Sequence, residues 1–155
     1  MLTKVILKER GPVPRRMIPA HNAAKRYSYR EIGSYFHSTF AIRRFTYAHG
    51  KAAGYRPRSG DQLPFGSKEF YRSYAGRKRR MKGHRDPMVW SGGSRARAKI
   101  ATITATGKGS TVRYHFNVFN FHPWMHAEFS KVLTTEAVTL GKVFDKNYGK
   151  KFNAT

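Results

Sequence analysis

Residues 98–118 alternate apolar and polar side chains, and that alternation constrains the fold more than any other feature of the chain. A period of two is the mark of a half-buried strand. Ala98–Thr106 forms one such run and Val112–Val118 a sharper one. Between them Gly107-Lys108-Gly109-Ser110 has the composition of a hairpin loop. Val112, Tyr114, Phe116 and Val118 are expected to face a core, with Arg113, His115 and Asn117 turned outward.

The remaining segments read mainly as helices. Residues 3–8 are β-branched and apolar, a short strand, and the prolines of GPVPRRMIP make a rigid basic linker. Ser28 and Glu31 have capping-box spacing, which predicts a helix from Ser28 to about Ala53. Its stripe is Ile32, Phe36 and Phe40, with Phe45 and Ala48 beyond; the drift near Arg43-Arg44 predicts a bend or two protein-facing sides. Gly54 is the stop, and residues 55–66 are loop. A shorter helix opens at Ser67 and reaches about Met81, bracketed by Gly83 and Pro87. Residues 119–129 read as an aromatic loop around Pro123. A last helix starts near Thr134 or Thr135, with Ala137, Leu140, Val143 or Phe144, and Tyr148 along its stripe. This order predicts an α+β fold: a small antiparallel sheet built around the C-terminal-half hairpin, helices packed on one face. Residues 1–27 are expected to be an N-terminal strand and Pro-rich basic linker, and residues 28–155 a single domain.

Charge decides what class of partner such a fold serves. The chain carries 31 Lys and Arg against 8 Asp and Glu, a formal net charge of +23. So large an excess calls for a negative partner, and nucleic acid is the usual one. With 39% hydrophobic and 14% aromatic residues the chain is too apolar for a disordered basic tail. It has no cysteine, so disulfides and thiolate metal sites are excluded. No apolar run approaches the ~20 residues of a membrane span, and MLTKVILKER lacks the apolar stretch of a signal peptide. Residues 10–30 share the basic, nearly acid-free composition of a mitochondrial presequence, which is harder to exclude than a signal peptide, although they hold several prolines and show no clean amphipathic period.

Catalytic chemistry finds little to work with. No carboxylate lies between Asp86 and Glu128, no short-range acid pair is present, and no nucleophile-elbow, phosphate-loop or zinc-protease motif occurs. The expectation is that the chain is not an enzyme and takes no cofactor. His122 and His126, with Glu128 behind, have a spacing that could hold zinc on a helix, but Pro123 and the aromatic surroundings favour packed histidines and no metal.

The strongest local signal is the basic run Arg77, Lys78, Arg79, Arg80, Lys82 and Arg85, continued by Arg95, Arg97, Lys99 and Lys108. A charge run is often only a solvated helix face. Here the excess extends along the whole chain, which favours contact with a polyanion or an acidic partner. No zinc-finger, basic-zipper or RNP pattern supports reading of particular bases. Trp90 and Trp124 each sit beside a turn, either covering the core's edge or anchoring a neighbouring subunit.

Four stretches carry a resemblance. They are Arg43–Ala48 running into Tyr55–Arg58; Phe70–Lys78; Gly83–Gly92, a proline, apolar pair and Ser-Gly entering a β-region; and Leu133–Glu136 before a helix bearing Leu140 and Phe144. Together they resemble the neck, head–tail joining and tail-completion proteins of tailed bacteriophages, a virion-morphogenesis family. The resemblance covers about residues 40–150. It implies an α+β subunit in a closed ring, usually sixfold, between portal or adaptor and tail proteins, surrounding the channel through which DNA passes. It implies a virion location after assembly in the bacterial cytoplasm, no membrane, and basic side chains facing DNA without sequence preference. The alternative class is a ribosomal protein, organellar or not, whose charge would serve RNA.

Overall fold

The computed structural model describes residues 2–5, 14–89, 92–115 and 123–154. Its sheet has three antiparallel strands, β1 (Leu2–Val5), β2 (Ala101–Thr106) and β3 (Gly109–Tyr114), in the order β1-β3-β2. The expected hairpin is present, with Gly107 and Lys108 as its turn. Cross-strand pairs Ile103–Val112 and Ala101–Tyr114 lie on the inner face, and Thr102–Arg113 on the outer. Val112 and Tyr114 are buried while Arg113 and His115 are exposed, as the alternation predicts. Phe116, Asn117 and Val118 lie outside the described residues. Ala98 belongs to no strand: it follows the short helix α5 (Gly93–Arg97) and is buried.

The sheet packs on α1 (Ile18–Tyr35), and α1 packs in turn on the C-terminal helix α7 (Thr134–Phe152). Helix α1 starts inside the stretch expected to be linker. Pro19 is no obstacle there, because the first turn of a helix has no internal acceptor for its amides. Ser28 is accordingly no cap: it is buried in mid-helix and its Oγ donates to Ala24 O at 2.8 Å. Gly33 lets the sheet approach. A methyl there would lie 2.7 Å from Ile103 Cγ2 and closer still to Ser110 Oγ.

The predicted bend is a change of helix type. After Tyr35 the chain makes a π-helical turn (Phe36–Ala41) and a 3-10 turn (Arg43–Phe45), then breaks at extended Thr46. The wider turn resets the stripe, so Phe36, Phe40, Ala41, Arg44 and Phe45 all point inward. His37 on this turn reaches both Tyr114 Oη (3.3 Å) and Lys99 O (3.2 Å), tying it to the hairpin. Thr46 caps the short α2 (Tyr47–Ala52), and Gly54, at φ +63°, follows its end.

The second predicted helix is two. Ser67 caps α3 (Lys68–Arg72), and Ser73 breaks the chain and caps α4 (Tyr74–Lys82). Gly83, at φ +73°, ends α4 as expected. The segment expected to be an aromatic loop instead contains α6 (Pro123–Ser130). Its leading proline reads as a loop signal in sequence yet suits the first position of a helix. Along α7, Leu140 is buried and Phe144 and Tyr148 are half-buried, stacked at 5.8 Å; Phe144 meets Tyr29 of α1 at 5.0 Å. Ala137 departs from the predicted stripe and is exposed, because Glu136 takes the inward position.

Candidate polyanion interface

Helix α4 sorts its own charges. Ala75, Gly76 and Lys78 face inward, which leaves Arg77, Arg79, Arg80 and Lys82 on the solvent side. Arg79 Nη1 also donates to Gly83 O at 2.8 Å, covering the helix's last carbonyls. Arg95 and Arg97 of α5 and Lys99 just after it are exposed. Asp86 links the two helices, receiving the Lys78 ammonium on its backbone oxygen while its carboxylate lies 4.0 Å from Arg95 Nη1. Lys108 is exposed in the hairpin turn, whose strands pack on α1.

Two members of the run are not surface residues. Lys78 is 3% exposed, and no carboxylate among the described residues lies within ion-pair distance of it. Burial holds its ammonium below the usual lysine pKa, with Asp86 pulling the other way. Arg85 is half-buried, paired with Asp61 at 3.2 Å and stacked over Tyr47 (5.2 Å) and Phe70 (5.3 Å). Lys78 turns inward because its stem, on a three-residue helical offset from Ala75, shares the buried side of α4.

Lys78 and Arg85 line a cavity of about 270 Å³ between α2 and α4, together with Tyr47, Tyr55, Arg58 and Tyr74. Arg58 is held by Glu128 through two bonds (2.7 and 3.3 Å) and lies 4.1 Å over the Trp124 ring. Trp124 is thus half-buried against its own chain, and Glu128 is committed to an arginine. Trp90 and His122 lie outside the described residues. Among the described residues no group of three His, Asp or Glu could hold a metal ion, and no helix is long and apolar enough to cross a membrane.

Sequence reasoning missed the charge centre of the core. Arg44 is fully buried, and all five of its N–H donors are used. Nε donates to Phe129 O (2.8 Å), Nη1 to Phe40 O and Glu136 Oε1 (both 3.0 Å), Nη2 to Lys131 O (3.1 Å) and Glu136 Oε2 (2.8 Å). The Phe36 ring lies 4.5 Å from the guanidinium. Glu136 Oε2 also accepts from Leu133 N at 3.1 Å, closing the start of α7. His49 Nδ1 is 3.9 Å from Glu136, yet burial and the Arg44 charge outweigh that carboxylate and hold the imidazole below its usual pKa. The only sequence signal was the drift of the apolar stripe at Arg43-Arg44, since Glu136 is 92 residues away.

Four acids therefore pair within the chain, three of them with buried or half-buried arginines. Asp61, Asp86, Glu128 and Glu136 each face an arginine of the same chain. Among the described residues, Arg77, Arg79 and Arg80 of α4 have no such share of them. Comparison with protein-family models, with curated proteins and with solved structures finds no match for this chain.

Proposed function

We propose that the chain is a structural subunit that assembles with copies of itself and neighbouring proteins and contacts a polyanion through the solvent face of α4, with no catalytic role. The observation that carries this reading is the separation of charge. Asp61, Glu128 and Glu136 are spent on buried or half-buried arginines, while Arg77, Arg79, Arg80 and Lys82 are exposed on α4. Flexible cations on a helix face suit phosphates met in any order; no base-reading motif accompanies them.

An exposed aromatic group supports the assembly half of the reading. Phe65 is 66% exposed and sits against Phe70 (5.5 Å) and Tyr71 (6.4 Å), a ring cluster open to a neighbour. In the resemblance to phage neck and tail-completion proteins, the particle station that combines both features is a ring between portal and tail, sixfold by that resemblance, with DNA passing through its lumen. The chain would then be a virion component, and its partners other copies, portal or adaptor, and tail proteins.

Gradient fractionation of a lysate containing the assembled particles tests this, with the chain followed by mass spectrometry. The reading expects it with DNA-filled particles, beside portal and tail proteins. Sedimentation with ribosomal subunits, and release from them only at high salt, would overturn it and assign the charge to RNA.

A further inference from the structure

We infer that the open edge of β2 is a self-association surface, pairing antiparallel with β2 of a second copy so that two three-stranded sheets become one. Such a contact is two-fold. It goes beyond the proposed ring, whose contacts run head to tail, and does not rest on it.

The sheet order β1-β3-β2 places β1 and β2 at the edges. β2 bonds to β3 on one side, and nothing among the described residues pairs with its other side. Exposed edges are usually blunted by shortness, charge, proline or a bulge. β1 is blunted in two of these ways, having four residues and Lys4 among them. β2 has six residues, Ala-Thr-Ile-Thr-Ala-Thr, without charge or proline and in unbroken register with β3. Its edge also leaves apolar surface uncovered. Val112 and Tyr114 of the central strand are each 1% exposed, whereas Ala101, Ile103 and Ala105 on the same face are only half-buried. Ile100, just before the strand, is 73% exposed.

Geometry and sequence together select a second β2 as the occupant. The turn between the strands is Gly107-Lys108, so Thr106 and Gly109 close it as a hydrogen-bonded pair. Counting by twos, Thr102 and Thr104 also turn their amides and carbonyls toward β3, while Ala101, Ile103 and Ala105 turn theirs to the open edge. The stretch Ala101–Ala105 reads the same in both directions about Ile103. An antiparallel copy centred there sets Ile103 against Ile103, Ala101 against Ala105 and Thr102 against Thr104, and every outward amide meets an outward carbonyl. The alanines and isoleucines then extend the side on which α1 packs, and the threonines pair on the outer side, a favourable cross-strand match. Charge agrees with this choice. In a chain of net charge +23, two copies repel least along a neutral strand, with Lys99 and Lys108 beyond its ends.

Sedimentation equilibrium of the intact chain over a concentration series, joined to residue-level hydrogen exchange, tests the pairing. A reversible monomer–dimer equilibrium is expected that strengthens as salt screens the flanking lysines, opposite to the salt response of polyanion binding. The amides of Ala101, Ile103 and Ala105 should be protected in the dimer alone. Thr102→Glu/Thr104→Glu sets carboxylates opposite each other across the contact and should weaken the dimer about tenfold, although it lowers the net charge. Thr102→Glu/Thr104→Lys sets opposite charges there and should hold the dimer at least as tightly as the parent chain. Both positions are exposed, and circular dichroism checks that each variant keeps the fold. A chain that stays monomeric at millimolar concentration and high salt overturns the proposal and leaves the edge to a strand of another protein. So does a dimer in which those three amides exchange freely, or one lost in Phe65→Ser and indifferent to both threonine variants.

Discussion

Arg44 and Lys78 are both buried cations, and the fold treats them in opposite ways. Arg44 has five donors and five acceptors, two of them the oxygens of Glu136. Lys78 has one carbonyl and a cavity. A buried charge is tolerable when it is paired and hydrogen-bonded throughout, and costly otherwise. The first arrangement fastens α6 and α7 to the bend after α1, which makes it architecture. The second leaves a buried ammonium with a single acceptor, so its burial is not offset by a full set of hydrogen bonds.

Breaking the satisfied pair should produce the largest effect. Arg44→Met strands a buried carboxylate and is expected to cost about 3–5 kcal/mol, read from urea unfolding. Adding Glu136→Leu should recover most of that loss, because the stranded charge goes with it. If the double variant were no more stable than the single, Glu136 would be stabilised by something other than Arg44.

Glu128→Gln comes next. It weakens the hold on Arg58, whose side chain is 17% exposed, and should cost about 1–3 kcal/mol. It should also shift tryptophan fluorescence, since Arg58 lies over Trp124.

A pH series sharpens the contrast further. His49 is buried beside Arg44, and its folded pKa lies below the ordinary 6.5. Unfolding therefore takes up a proton in the window below pH 6.5. The corresponding stability is present above pH 6.5 and declines as pH falls through the folded value. His49→Gln should flatten that decline in urea midpoints measured across the window.

Lys78→Met should change stability least among the buried sites, by less than about 1 kcal/mol at neutral pH. Loss of the bond to Asp86 O is offset by removing an unpaired buried charge. A loss as large as that of Arg44→Met would show that the two cations do the same job and erase the comparison.

What was legible in the sequence followed local periodicity. The hairpin showed because period two over 98–118 has no helical counterpart, and α7 showed through Leu140, Phe144 and Tyr148. Proline misled at both places where it opens a helix, Pro19 and Pro123, because its loop preference and its fitness for a first turn look alike in a single chain. Ser28 and Glu31 matched a capping box by spacing alone, which does not record whether an amide is free. The basic run was visible, but its division into solvent and buried members depends on which side of α4 meets Asp86 and the cavity. Arg44 with Glu136, and Arg58 with Glu128, are pairings made by the tertiary fold, and no local pattern announces them.

The central claim is that the solvent-facing cations of α4, and not the buried ones, meet a polyanion without regard to sequence. Affinity for random-sequence duplex DNA, measured by fluorescence anisotropy across a salt series, tests it most directly. The account predicts log K falling linearly with log salt, equally for unrelated sequences. Arg77→Glu/Arg80→Glu/Lys82→Glu should reduce the slope by about 0.9 for each phosphate no longer neutralised, with stability changed by no more than about 0.5 kcal/mol. A slope untouched by the triple reversal, or tight binding to one sequence alone, would contradict it.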